Sequence, residues 1–312
     1  MAIRFATLLL LATAIAVPAN CPRTSIGYKP LDTPTFPNYQ GVDLGLYPGS
    51  NKRPASHEKA GRAQAALMLP RDAAGKPNDA TGKIVLLSLG TSNASTEFAA
   101  FQKLAGHDAD RNPKVVLVDG AQDDWHANRI VAEEPAYLNG VEERIKGARV
   151  TDEQVQAAWV ELADSNPSLP FPADAKLLKR ETLEIIRIAK SRFPNLRLVY
   201  LSSRIYAGYS MTRLDAEPFA YQGGFAVRWL VEGQIDGVPD LDYSAGKIPW
   251  MAWGPYLWAD GTTPRSDGLT WACADFQDDG ISPSESGQLK VARLLLDFFK
   301  NDTTTRPWFV KP

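Results

Sequence analysis

The sequence predicts an α/β chain with a central parallel sheet flanked by helices in three layers, and three observations predict it. Ile84 to Leu89 is a continuous apolar run of the kind buried on both faces of a sheet, and Val115 to Val118 and Leu196 to Leu201 repeat it. Helical patterns separate these runs at the spacing of crossover connections. Composition permits the large core such a sheet needs, with 44% of the 312 residues apolar and 22% charged.

In chain order, Arg4 precedes an apolar run from Phe5 to Val17, and Val17-Pro18-Ala19 sets small residues where a signal peptidase cuts. Residues 1–19 are therefore expected to be a secretory signal, giving a secreted or periplasmic protein with no stable membrane span after cleavage; the run is shorter than the ~20 residues a spanning helix needs. Residues 20–82, rich in Pro, Gly, Asn and Lys, read as an irregular arm packed on the domain, with a short strand at Ala65 to Met68. The domain proper is placed at 83–312. Its first strand ends at Gly90, and a helix follows from about Thr96. A weaker strand lies around Ala157 to Leu162. Ala173 to Arg192 reads as a helix that Phe193-Pro194-Asn195 stops, and Glu285 to Lys300 as another behind an N-cap at Ser284. Residues 205–275 read as an aromatic-rich insertion. No internal repeat or low-complexity tract is present.

Net charge and cysteine count narrow the function. Lys plus Arg total 34 against 36 Asp plus Glu, a net charge of −2, so no basic field exists to grip nucleic acid. Cys21 and Cys273 are the two cysteines. In an oxidising compartment they form one bridge from the arm to the C-terminal third, or else stay unpaired with Cys273 buried as a small hydrophobe. No nucleotide loop, dinucleotide glycine pattern or metal-ligand cluster occurs, so no cofactor and no metal is expected.

Strand C-termini are where an open α/β sheet binds ligands. Ser88-Leu89-Gly90-Thr91-Ser92-Asn93 delivers Ser92 to that edge as a candidate nucleophile, or as a helix-capping serine. Val118-Asp119-Gly120-Ala121-Gln122 brings Gly120 there as a candidate oxyanion donor, or as a simple turn. Asp278-Asp279-Gly280-Ile281-Ser282-Pro283 sets carboxylates just before the final helix.

In this order the segments resemble the GDSL or SGNH hydrolase family, over about Lys83 to Lys300, and most of all a secreted bacterial subgroup. The likeness extends to Tyr200-Leu201-Ser202-Ser203-Arg204-Ile205-Tyr206 and Trp253-Gly254-Pro255-Tyr256-Leu257-Trp258-Ala259-Asp260-Gly261. It implies an SGNH/flavodoxin-like fold and acyl ester hydrolysis, with Ser92 as nucleophile, Ser92 and Gly120 as oxyanion donors and Asp279 as the carboxylate that orients a base. Two departures stand out. Where the family reads Asp-Gly-any-His-Pro, Ser282 occupies the histidine position, and a hydroxyl is no base near neutral pH. The family's Gly-x-Asn-Asp segment has Val160-Glu161-Leu162-Ala163 as its nearest match, without Asn.

Three histidines could replace the base. His57 and His107 read as solvated, whereas His126, six residues beyond Gly120 and beside Asp123 and Asp124, is either an alternative base or a surface histidine. Arg204 and Arg265 could hold a substrate carboxylate or sulfate, or pair with Asp260 or Asp267. Trp258 belongs to a group of rings that would suit a sugar face. The expected activity is secreted SGNH-like acyl ester hydrolysis, with deacetylation of a polysaccharide as its form and a small-molecule or polysaccharide ester as partner. The alternative is a catalytically impaired SGNH-fold protein that binds glycan without turnover.

Overall fold

The computed structural model describes residue 21, residues 23–211 and residues 216–311. The expected signal, residues 1–19, lies outside them. The arm carries a hairpin of β1 (Asn38–Tyr39) and β2 (Val42–Asp43), then α1 (Ala55–Ala65). The domain follows as β3 (Ile84–Gly90), α2 (Ser92–Gly106), β4 (Val115–Asp119), α3 (Ala127–Ala132), α4 (Glu134–Gly147) and β5 (Val155–Glu161). It continues as α5 (Ala173–Arg192), β6 (Leu198–Ser202), α6 (Phe219–Ile235), β7 (Trp250–Trp253), α7 (Glu285–Asn301) and α8 (Arg306–Phe309).

Five strands form one parallel sheet in the order β4-β3-β5-β6-β7. Every residue of β3, β5, β6 and β7 is buried, because helices cover both faces. Helix α2 packs on α7 in one layer, and α5 packs on α6 and α3 in the other. The chain leaves β3 for β4 on one side and returns to β5 on the other. That reversal opens a crevice beyond the C-terminal ends of these strands, and Ser92 begins the helix that rises beside it.

Several expectations are corrected. The 205–275 stretch is no insertion, since it supplies α6 and the fifth strand, β7. Helix α6 is buried on nearly every side, from Ala220 through Gln234, so its sequence lacks an amphipathic stripe. The arm is not wholly irregular. No strand forms at residues 65–68, because α1 runs through Ala65 to pack on β7, where Gly61 lies against Trp250 so closely that a Cβ would come within 2.4 Å of the ring. His57, expected in solvent, is buried with them, its Nε2 2.8 Å from the Met251 carbonyl oxygen and its ring stacked on Trp250. His107 caps the end of α2 on the surface, as expected.

Cys21 and Cys273, 252 positions apart in sequence, form a disulfide with Cα atoms 5.9 Å apart. Among the described residues no helix is long and apolar enough to cross a membrane.

Candidate active site

The loop from β3 into α2 is shaped by a close approach. Gly90 pairs with Glu161 of β5, and a Cβ on Gly90 would lie 2.2 Å from the Glu161 carbonyl oxygen, so only glycine lets the chain turn there. Thr91 takes the N-cap position, and the first helical hydrogen bond runs from Ser95 N–H to Thr91 O. Helix α2 therefore starts at Ser92, four residues earlier than expected. The N–H groups of Ser92, Asn93 and Ala94 stay outside the helical ladder at its positive end.

Across from this helix end stands the turn before α7. Asp279 accepts the N–H groups of Ile281 and Ser282 on Oδ1 (2.9 and 2.8 Å) and the Ser282 hydroxyl on Oδ2 (2.6 Å). Burial pushes the Asp279 carboxyl up, but these bonds and the Arg204 charge outweigh it and hold the group below its ordinary range. Asn93 ties the two sides together by donating from Nδ2 to the Ile281 carbonyl oxygen at 2.9 Å. Ser92 and Ser282 line one cleft of about 340 Å³, with Thr96, Asp123, Arg144 and Gln277 among its other wall residues. Ser282 thus makes the hydrogen bond to Asp279 that a ring N–H would make in its place, and contributes no base.

Gly120 does not face the cleft as an oxyanion donor. Its N–H donates to the Ser88 hydroxyl at 3.1 Å, and that hydroxyl donates to Asp119 Oδ1 at 2.7 Å. Asp119 also accepts the Ser95 hydroxyl at 2.6 Å and Arg144 Nη1 at 3.3 Å, so this strand end is a braced corner. The N–H groups of Ser92 and Asn93 lie in the first turn of α2, and both residues line the cleft.

His126 is buried at the N-cap position of α3, where the next residue's N–H bonds the Ala163 carbonyl oxygen, and it is not among the residues that wall the cleft. Asp124 pairs with Arg129 at 2.6 Å, and Asp123 lies on the cleft wall. Trp258 is not offered to a ligand: it is fully buried, donates to Glu217 at 2.7 Å and packs on Tyr221. Arg265 is buried too and pairs with Asp267 at 2.6 Å, one of the two pairings expected, while donating to the Tyr256 and Trp258 carbonyl oxygens. Asp260 is occupied by Ser25 and the N–H groups of Ile26 and Gly27. Arg204 pairs with neither expected aspartate; its Nε lies 3.5 Å from Glu161 Oε1.

Sequence reasoning missed a buried cluster behind the cleft. Glu97 of α2, Glu161 at the end of β5 and Arg204 beyond β6 are 0%, 1% and 3% exposed. Burial, then the charge of and hydrogen bond to Glu161, pushes the Glu97 carboxyl well above the ordinary glutamate range. The signal was there in part: Glu97 interrupts the buried face of Ala94, Phe98 and Phe101, where a lone charge needs a partner. Arg144 had no such signal, because nothing in α4 marks the side that meets Asp119.

No family model matches the chain, and no curated protein matches it. Among solved structures, protein YxiM from Bacillus subtilis aligns at 14% identity and a TM-score of 0.37, over 72% of this chain. This chain spans 57% of that protein's length. The periplasmic domain of a lipopolysaccharide acetyltransferase from Salmonella Paratyphi A aligns at 10% identity and a TM-score of 0.38, over 79% of this chain and 95% of that one. Fold and site by themselves define a three-layer α/β protein with a serine at the open N-terminus of a helix, facing a carboxylate-held turn across a polar cleft.

Proposed function

We propose that the chain is a Ser92-dependent acyl ester hydrolase of SGNH type, exported from the cell and slowed by the absence of an imidazole at position 282. Supporting this reading is one observation: Ser92 and the Asp279-bound Ser282 line the same cleft although 190 residues separate them in sequence. In the proposed reaction Ser92 Oγ attacks the ester carbonyl and gives up its proton through solvent water, and the developing oxyanion meets the N–H groups of Ser92 and Asn93; the ester C–O bond breaks and the alcohol leaves with a proton from water, and a second water then cleaves the acyl-serine, yielding the free acid and restoring the Ser92 hydroxyl. The wall residues are polar throughout, which suits a small acyl group on a hydroxylated alcohol such as a glycan. Loss of a triad histidine costs about 10⁶ in turnover, roughly 8 kcal/mol, so binding and oxyanion stabilisation carry what activity the native chain has.

A fluorophosphonate probe with peptide mapping tests the assignment. Ser92 should be modified slowly in the native chain, and Ser282→His should speed both labelling and p-nitrophenyl acetate hydrolysis by roughly 10² or more. His126→Ala should leave the native labelling rate unchanged. If Ser282→His folds and Ser92 still resists the probe, the hydrolase reading is wrong. Glycan binding without any Ser92 reactivity would then favour the binding protein, the reading that Ser282 supports.

A further inference from the structure

The Ser92 hydroxyl makes no hydrogen bond among the described residues, so nothing bonded to its own side chain fixes the direction of Oγ. The backbone around it is pinned instead, on both sides. Before Ser92, Gly90 N–H donates to the Tyr137 hydroxyl of α4 at 3.2 Å, and the Gly90 carbonyl oxygen accepts Gln122 N–H from the turn after β4 at 3.0 Å. After Ser92, the Ser95 hydroxyl donates to Asp119 Oδ2 at 2.6 Å. Ser95 stands three residues further along α2, so the two serines share a face of the helix, and both line the cleft.

Asp119 anchors the second pin to the sheet. Its Oδ1 accepts the Ser88 hydroxyl of β3 at 2.7 Å and Ala121 N–H at 3.1 Å, and Arg144 Nη1 of α4 lies 3.3 Å from Oδ2. One carboxylate at the end of β4 therefore joins β3, α2 and α4. Its side chain is only 15% exposed, so water competes little for the two oxygens. The Ser95 bond has the length of a charge-assisted O–H···O⁻ contact, about twice as strong as a neutral one, whereas the Arg144 contact to Oδ2 is longer and made by a single nitrogen. Such anchoring matters at a reacting atom, because a displacement of about 1 Å can cost on the order of 10² in rate.

We propose that Asp119 is a positioning residue for Ser92 and acts through the Ser95 hydroxyl: that bond fixes the first turn of α2 against the end of β4 and so holds Ser92 Oγ in one orientation. The inference deepens the hydrolase reading and rests on it, since a fixed hydroxyl matters only to a nucleophile. Its first test needs no reactivity. Three-bond Hα–Hβ couplings of Ser92, measured by NMR on the isotope-labelled intact chain, report whether the side chain keeps a single rotamer. The native chain is compared with Ser95→Ala, Asp119→Asn, the double variant and Ser95→Thr.

The native chain should give the couplings of one rotamer, and Ser95→Ala and Asp119→Asn should each give averaged ones. The double variant should go no further than either, because both substitutions break the same bond. Ser95→Thr keeps the hydroxyl and should keep the native couplings. Fluorophosphonate labelling of Ser92 should follow the same order, about tenfold slower in each single variant. Native couplings in Ser95→Ala and Asp119→Asn, or effects that add in the double variant, would overturn the proposal. If Asp119→Asn does not fold, the two Ser95 variants decide: averaged couplings with Ala and native ones with Thr support the bond, and any other pattern refutes it. Couplings that respond as expected while Ser92 never labels would count against the hydrolase and support the positioning. Labelling at the native rate in every variant, with native couplings, would refute the positioning and leave the hydrolase standing.

Discussion

Asp164 and Glu181 form a second carboxyl pair, away from the cleft, and show how one residue's surroundings set a pH response. Burial, then the hydrogen bond to and charge of Asp164, pushes Glu181 up from 4.5 to about 9. Between these values the native chain holds a proton that the unfolded chain has lost. Stability from this group is therefore fully present below the ordinary glutamate range and is lost as pH rises through about 9. Melting temperatures of the native chain should fall from pH 5 to pH 9 more steeply than those of Glu181→Gln; parallel curves would refute the shared proton. At the same scale, the Ser88 hydroxyl shows why Gly120 is not an oxyanion donor. A buried acceptor at hydrogen-bond distance claims the glycine N–H, and a sequence motif does not reveal such a neighbour.

Elements meet at the site through turns that tolerate little change. The Asp279 turn depends on Gly280, whose φ of +69° and contact with the Tyr209 backbone exclude a side chain on two independent grounds. Gly237 has a similar φ of +74° with nothing within 4 Å of a built Cβ, so it isolates the conformational cost alone. Gly237→Ala should destabilise by about 1 kcal/mol. Gly280→Ala should cost roughly 1–3 kcal/mol more, because backbone must move, and should also slow Ser92 labelling. Urea midpoints would check this, and equal losses at the two positions would show that the turn has room to shift. Helix α7, which follows the turn, was plain in the sequence because Val291, Ala292, Leu295 and Phe299 form a single buried stripe. Helix α6 escaped notice because burial on all sides erases that stripe.

At the scale of the whole molecule, the disulfide joins the start of the arm to the segment that leads into the Asp279 turn. The bridge closes a loop of most of the chain and so restricts the unfolded state. Cys273→Ser should lower stability by roughly 2–5 kcal/mol, read as a shift of the urea midpoint that reductant reproduces in the native chain. An unchanged midpoint in both would mean that the arm is held by packing alone, for instance by His57 and Gly61 of α1 against β7. The arm thus buries one edge of the sheet instead of merely lying over the domain.

The sequence alone determined the parallel α/β architecture, four of the five strands of its sheet, the long helices α5 and α7, and the placing of Ser92, Asp279 and Ser282 near strand or helix ends. These are matters of local periodicity and chain order, which survive in a one-dimensional string. Only the tertiary structure decided that Ser92 and Ser282 share a cleft, that Gly120 and Trp258 are spent on internal contacts, that Arg204 answers to Glu161 and Glu97, and that the two cysteines meet. Each of those depends on which group is nearest in space and how far water is excluded. Residues 32 to 252 positions apart settle both, and no spacing in the sequence encodes them.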